Sequence, residues 1–85
     1  MLEDAELEIH KEYNRLASSF RYSVETERRY YLANEVNLVV KNQNNDVYFE
    51  VTLDDAWVWD LNRAERRIKH AHIITFKDVN IEELS

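Results

Sequence analysis

Apolar residues recur at every third or fourth position in the first part of the chain. They are Leu2, Ala5, Ile9, Tyr13, Leu16 and Phe20. This spacing places them along one side of an α-helix. Acidic residues dominate the first turns, where the helix dipole favours negative charge: Glu3, Asp4, Glu6 and Glu8. The pattern predicts an amphipathic helix over residues 3–18.

The apolar period falls to two at Phe20, as in a strand with one buried face. Phe20, Tyr22 and Val24 alternate with polar side chains. The alternation continues less regularly to Leu32, and residues 33–34 then interrupt it. We therefore predict a first strand over residues 20–32.

Two further alternating segments, residues 36–40 and 47–53, flank the polar run Asn-Gln-Asn-Asn-Asp at residues 42–46. Asparagine and aspartate tolerate the left-handed backbone of a tight turn better than other residues do when glycine is absent. This arrangement predicts an antiparallel hairpin.

The last third of the chain has mixed signals. Residues 54–60 fit either a continued strand or an ordered loop. Asn62 and Glu65 have the spacing of a helix capping box, which predicts a helix over residues 62–69. Residues 71–76 are rich in β-branched and aromatic side chains and predict a strand, and Asn80 with Glu83 predicts a final helical turn over residues 81–84.

The predicted element order is α-β-β-β-α-β. It describes an α+β fold in a single domain, residues 1–85, in which a three-strand antiparallel meander gains one further strand. The chain has 85 residues and no glycine, proline or cysteine. These absences exclude disulfides, cysteine-based zinc sites and glycine-rich phosphate loops.

The formal charge is -6, from 11 Lys+Arg against 17 Asp+Glu. A net anion is repelled by phosphate backbones, so the balance disfavours nucleic acid as a partner. There is no apolar run long enough to cross a membrane, and the acidic start differs from a signal peptide. We expect a cytoplasmic protein with no membrane partner.

Two clusters are candidates for binding. Trp57 and Trp59 are two residues apart, so on an extended chain their rings share a face, either as part of the core or as an aromatic platform for a partner. On the predicted helix, Arg63, Arg66, Arg67 and His70 have three-and-four spacing, either as a solvated face or as a site for phosphate or an acidic partner.

Other charged residues have simpler interpretations. Arg28 and Arg29 lie between Glu25 and Glu27, and ion pairing within the chain accounts for them. The aspartates near Trp57 lack the spacing of a calcium loop, and the histidines lack a third zinc ligand. We expect no catalytic residues, no metal site and no cofactor.

The element order resembles the core of the PD-(D/E)xK, or restriction-endonuclease-like, nucleases. In the resolvase-like members the second strand reads Glu-Ile-Asp-Leu-Ile and the third reads Val-Glu-Val-Lys. Here residues 35–39 read Glu-Val-Asn-Leu-Val and residues 49–52 read Phe-Glu-Val-Thr.

This resemblance implies that Asn37 replaces the metal-binding aspartate and Thr52 the lysine. It also implies that Glu50 is retained, together with a helix carboxylate from Glu8 or Glu12. An amide is a weak ligand for Mg²⁺ and threonine supplies no cation. The resemblance therefore implies a nuclease-shaped domain that does not cut.

Three long blocks carry a closer resemblance: residues 24–34 (VETERRYYLAN), 55–60 (DAWVWD) and 75–84 (TFKDVNIEEL). They are similar to actinobacterial domain-of-unknown-function family 2469, whose genes commonly lie near those for ribonuclease HII and signal peptidase. The resemblance implies no established activity, cofactor or catalytic residue.

These observations predict a non-catalytic binding or adaptor module with a protein partner and a link to nucleic-acid processing. Self-association into a homodimer would cover aromatic side chains that so small a domain leaves exposed. The alternative is a magnesium-dependent nuclease, or an inactive relative that still binds nucleic acid.

Overall fold

The computed structural model describes residues 4–84, which form one helix and a five-stranded antiparallel sheet. The elements are α1 (Asp4–Leu16), a 3-10 turn (Ala17–Ser19), β1 (Tyr22–Glu25), β2 (Tyr30–Gln43), β3 (Asp46–Val58), β4 (Arg67–Thr75) and β5 (Asn80–Glu83). The strand order in the sheet is β4-β3-β2-β1-β5. The predicted α+β class and antiparallel meander are confirmed.

Helix α1 agrees with the apolar spacing that predicted it. Ile9 is fully buried, and Tyr13 and Leu16 from the same side of the helix pack around it. The predicted start at residue 3, with Leu2 and Glu3, lies outside the described residues.

The predicted strand over residues 20–32 is two strands, and the break predicted at residues 33–34 is wrong because β2 continues through it. The turn lies earlier, at residues 26–29. The N–H of Thr26 donates to the carbonyl of Arg29 at 2.9 Å, and the Thr26 hydroxyl accepts from the N–H of Arg29 at 3.2 Å. A threonine side chain thus closes a turn that contains no glycine, asparagine or proline.

The hairpin between β2 and β3 forms as predicted. Asn44 and Asn45 have φ values of 52° and 68°, and Gln43 pairs with Asp46 across them. Two consecutive left-handed residues are typical of a type I′ turn, whose twist matches that of the two strands.

The helix predicted over residues 62–69 is absent, because residues 59–66 form a loop and β4 begins at Arg67. Asp60, rather than Asn62, organises this loop: its carboxylate accepts from the N–H of Asn62 at 3.0 Å. The carbonyl of Arg66 accepts from the N–H of Val58 at 2.9 Å, which draws the chain back onto β3. Tertiary pairing therefore overrides the capping signal.

The final helical turn predicted over residues 81–84 is also wrong. Residues Asn80–Glu83 form β5, which pairs antiparallel with β1 and places Ile81 opposite Val24. Ile81 packs against the buried cluster that contains Val24. An isolated last turn would leave that cluster open.

The alternation of side chains reverses in the middle of the sheet, at Asp55. Val51 and Leu53 belong to the same buried cluster as Ala56 and Val58, whereas Trp57 lies in the opposite cluster. Asp55 has a φ of 52°, a left-handed conformation that aspartate adopts more readily than most residues. The alternation of side chains also reverses in the neighbouring strands, at the positions that lie beside Asp55. Ala33 and Val36 of β2 face the same cluster, and so do Ile68 and Ala71 of β4.

The two faces of the sheet carry separate cores. One face, here called the concave face, contains Val24, Tyr31, Ala33, Val51, Leu53, Ala56 and Val58. The β1–β2 turn and strand β4 line one cavity although β3 and β2 lie between β4 and β1 in the sheet, so the sheet curls around this face. The other face packs on α1 through Ile9, Phe20, Leu32 and Trp57.

Glu12 links the helix to the sheet and to the β3–β4 loop. Its carboxylate accepts from Nε1–H of Trp57 at 2.5 Å and from Nη1–H of Arg66 at 3.0 Å. The Glu12 and Arg66 side chains are only 24% and 14% exposed, so water compensates poorly if one partner is lost. At the next residue of α1, the hydroxyl groups of Tyr13 and Tyr30 are hydrogen-bonded at 3.2 Å; this bond and burial raise the pKa of Tyr13 to about 12.

We expect Glu12→Ala to lower the free energy of unfolding by about 2–3 kcal/mol, since it leaves the Arg66 guanidinium and the indole N–H without their acceptor. Glu8→Ala removes an exposed glutamate from the same helix and should cost less than about 0.5 kcal/mol. Urea denaturation of both variants measures the difference. Equal stabilities would contradict the role assigned to Glu12.

A second prediction concerns the turn between β2 and β3. Asn45→Ala should destabilise the protein by about 1 kcal/mol, because alanine pays the full cost of the left-handed conformation. Asn45→Gly should match or exceed wild-type stability, since glycine adopts that conformation freely. Thermal unfolding followed by circular dichroism compares these variants with Asn42→Ala, an exposed change outside the turn; an Asn45→Gly protein as unstable as Asn45→Ala would refute the assignment.

Candidate functional site

Two adjoining cavities of about 440 and 450 Å³ lie where the sheet curls, between the β1–β2 turn, β4 and the β3–β4 loop. They share Arg29, Tyr31, His72 and Ile73 among their lining residues. We call the combined depression the basic groove. Its floor is apolar, and its rim carries the cationic residues Arg28, Arg29, Arg63 and Lys77.

The rim holds more positive than negative charge. Its acidic residues are Glu27 and Asp60, and Asp60 is already engaged by Arg29, with 3.6 Å between Nη2 and Oδ2. Within residues 4–84, Arg28, Arg63 and Lys77 form no salt bridge. An acidic chain therefore presents a cationic rim at this depression.

Tyr31 lies in the floor of the groove, and its pKa reflects the charges and the burial there. Burial raises the pKa of the Tyr31 phenol because the phenolate loses hydration. The Arg29 guanidinium opposes this effect and lowers the pKa, while Asp60 raises it. The groove thus combines a poorly hydrated floor with a cation that stabilises negative charge.

The structure separates the two tryptophans. Their rings share the face toward α1, with centroids 5.8 Å apart, but Trp57 is 0% exposed and lies in the core. Trp59 is partly exposed. Its ring meets that of His10 edge-on, with centroids 4.8 Å apart, and that of Tyr13 at a tilt, with centroids 5.4 Å apart. Only Trp59 presents ring surface to solvent.

The basic residues Arg63, Arg66, Arg67 and His70 do not form one helical face, because no helix forms there. Arg63 and His70 line the basic groove. Arg66 binds Glu12. Arg67 lies over the ring of Phe20 at 5.6 Å and contacts Asp55 at 3.4 Å, and His70 Nδ1 is 2.8 Å from Asp54.

The residues at nuclease-motif positions come partly together. Asn37 and Thr52 lie directly opposite each other on β2 and β3. The Glu50 carboxylate is close to His72, at 3.1 Å, and to Lys41, at 3.4 Å. Glu8 is exposed on α1. The described part of the chain contains no cluster of three or more His, Cys, Asp or Glu residues arranged to hold a metal ion.

The sequence pattern missed most of the groove. Arg29 pairs with Asp60, not with its neighbours Glu25 and Glu27, and Lys77 comes from the β4–β5 connection. These cations lie in separate turns that meet only because the sheet curls. The single available signal was that the β1–β2 turn and the β4–β5 connection each carry basic residues.

The structure defines a small α+β domain with one curled antiparallel sheet. The chain belongs to the family described as Protein of unknown function (DUF2469), whose model matches residues 2–85. It is 52% identical, over 95% of this chain and 80% of theirs, to uncharacterised proteins of Mycobacterium bovis and of two strains of Mycobacterium tuberculosis. No solved structure matches it. Among residues 4–84, no helix has the length and hydrophobicity that spanning a membrane requires.

We expect Arg29→Gln to raise the pKa of Tyr31 further, because the change removes the positive charge that stabilises the phenolate. Arg28→Gln, which alters the adjacent arginine, should leave it unchanged. An NMR titration of the Tyr31 ring carbon bearing the hydroxyl follows this residue alone. An unchanged or lower pKa in Arg29→Gln would contradict the stabilising effect assigned to the Arg29 guanidinium.

Proposed function

We propose that this protein is a non-catalytic binding module that holds an acidic segment of a partner protein in the basic groove. The observation that carries the proposal is the cationic rim around an apolar floor in a chain with a net charge of -6. Arginine and aromatic side chains are enriched at protein interfaces, and an arginine fork binds a carboxylate with two parallel hydrogen bonds.

The floor favours a peptide over a simple anion. Tyr31 and Val58 are buried, and Ile68 and Ile73 are partly buried against the same cluster. An apolar side chain of a ligand could therefore rest on the floor while neighbouring carboxylates meet the rim. Alternating acidic and apolar residues in an extended segment would satisfy both.

Nucleic acid is the less suitable occupant of the groove. Glu27 and Asp60 interrupt the rim, and the negative charge of the whole chain opposes a polyanion at long range. The motif positions give little support to hydrolysis of phosphodiesters, since Glu50 is held by His72 and Lys41 and its neighbours are an amide and a hydroxyl.

The test uses a short fluorescein-labelled peptide of alternating glutamate and valine, with fluorescence anisotropy as the measurement. We expect binding by wild type and a loss of about tenfold or more in Arg28→Glu, Lys77→Glu, because two rim cations become repulsive. The double variant Lys11→Glu, Arg15→Glu makes the same charge change at exposed positions of α1 and should bind like wild type. A peptide with glutamine in place of glutamate should bind weakly to all three.

Other outcomes would refute the proposal. Equal affinity for the glutamate and glutamine peptides would show that the cationic rim does not contribute to recognition. Tighter binding of a labelled single-stranded oligonucleotide, with a steep salt dependence, would favour nucleic acid. Magnesium-dependent cleavage of that oligonucleotide, lost in Glu50→Ala, would establish the nuclease alternative.

A further inference from the structure

Strand β2 has a long unpaired edge. It pairs with β3 along nearly its whole length, whereas β1 covers only Tyr30–Ala33 on its other side. Among the described residues, no strand lies beside residues 35–43 on that side. We call this segment the free edge of β2. An open edge presents backbone N–H and C=O groups that can pair with another strand.

The side chains along the free edge are unusually apolar for an exposed strand. Leu38, Val39 and Val40 are 41%, 38% and 61% exposed, and residues 36–40 carry no charge. Val36 packs against the cluster of the concave face. The apolar surface therefore continues outward from the core along this strand.

The two outer edges of the sheet are protected by charge or by length. Strand β4 carries Arg67, Lys69, His70 and His72 along its nine residues. Strand β5 has only four residues, two of which are glutamates. Short edges and charged edges are the devices by which sheets avoid pairing with other chains. The free edge of β2 is nine residues long, and its only charged residues, Glu35 and Lys41, leave the five residues between them uncharged.

We propose that the free edge of β2 pairs antiparallel with the same edge of a second copy of this chain, around a two-fold axis at Val39. Val39 is the midpoint of residues 35–43, so this register pairs the whole free edge. Leu38 of each copy then lies opposite Val40 of the other, and the apolar side chains cover one another. The interface is self-complementary, as a two-fold axis requires.

The charges at the ends of the free edge support a second copy as the occupant. In this register Lys41 of one copy is the diagonal neighbour of Glu35 of the other, within reach of a long side chain. Glu35 lies opposite Asp54 within its own chain, and Asp54 is already bonded to His70 at 2.8 Å. A lysine from the second copy would relieve this pairing of like charges.

Lys41 can serve both contacts. It lies 3.4 Å from Glu50 of its own chain, again as a diagonal neighbour across β2 and β3. The side chain is 47% exposed, so its ammonium group can also meet a carboxylate of the second copy. The free edge shares no residue with the lining of the basic groove, and the dimer does not depend on the proposed function.

Single-cysteine variants locate the axis, because the chain contains no cysteine. In Val39→Cys the two thiols lie together at the axis, at a separation that suits a disulfide. We expect mild oxidation to convert most of this variant to a covalent dimer. Ile74→Cys, an exposed apolar position on the β4 edge, is the matched control and should form no covalent dimer.

Charge exchange tests the register by sedimentation equilibrium. Wild type should be a dimer, and Glu35→Lys or Lys41→Glu should each weaken dimerisation about tenfold, since each change creates two repulsive contacts by symmetry. The double variant restores opposite charges and should recover most of the affinity. Circular dichroism confirms that all variants are folded.

Three results would overturn the proposal. The first is a wild-type protein that stays monomeric at all micromolar concentrations. The second is oxidative cross-linking of Ile74→Cys as efficient as that of Val39→Cys. The third is a folded double variant that associates no better than the single ones.

Discussion

The left-handed conformation of Asp55 is the constraint on which both faces of the sheet depend. In a regular strand Leu53 and Trp57 would point to the same side. The reversal at Asp55 instead sends Leu53 to the concave face and Trp57 beneath α1. Asn34 supports the reversal from β2: its amide donates to the Asp55 carboxylate at 2.6 Å, and its carbonyl oxygen accepts from the N–H of Arg21 at 3.2 Å. The helix and the basic groove therefore both rely on one row of polar residues.

Cationic side chains serve two purposes that the net charge conceals. Arg66 has a structural role, since it neutralises Glu12 and holds the β3–β4 loop against α1. The arginines and the lysine at the rim of the groove come from three different connections and gather at one depression. In a chain with a net charge of -6, this local excess of positive charge gives the groove an electrostatic character opposite to that of the chain as a whole.

Periodicity identified the elements whose side chains repeat regularly. It predicted α1, the β2–β3 hairpin with its asparagine turn, and most of β4. It failed where one side chain or a distant strand determines the backbone conformation. Thr26 closes a turn that has no typical turn sequence, and residues 80–83 form a strand because they pair with β1. The tryptophan segment was ambiguous because Asp55 breaks the alternation within it. Of the groove, Arg63 and His70 were among the predicted binding residues, but the cations of the β1–β2 turn and Lys77 could not be joined to them without the curl of the sheet.

The place of β5 in the sheet has a consequence for how the chain folds. Strands β1 to β4 each pair with the strand that precedes or follows them, so their contacts can close in succession from tight local turns. Strand β5 instead pairs with β1, the first strand of the chain, at the edge of the sheet opposite β4, a closure with a larger entropic cost and a slower rate. Its four residues make few contacts to offset that loss of entropy. Native-state hydrogen exchange would then be fastest in β5 among the strands, and the concave core would open first at that side.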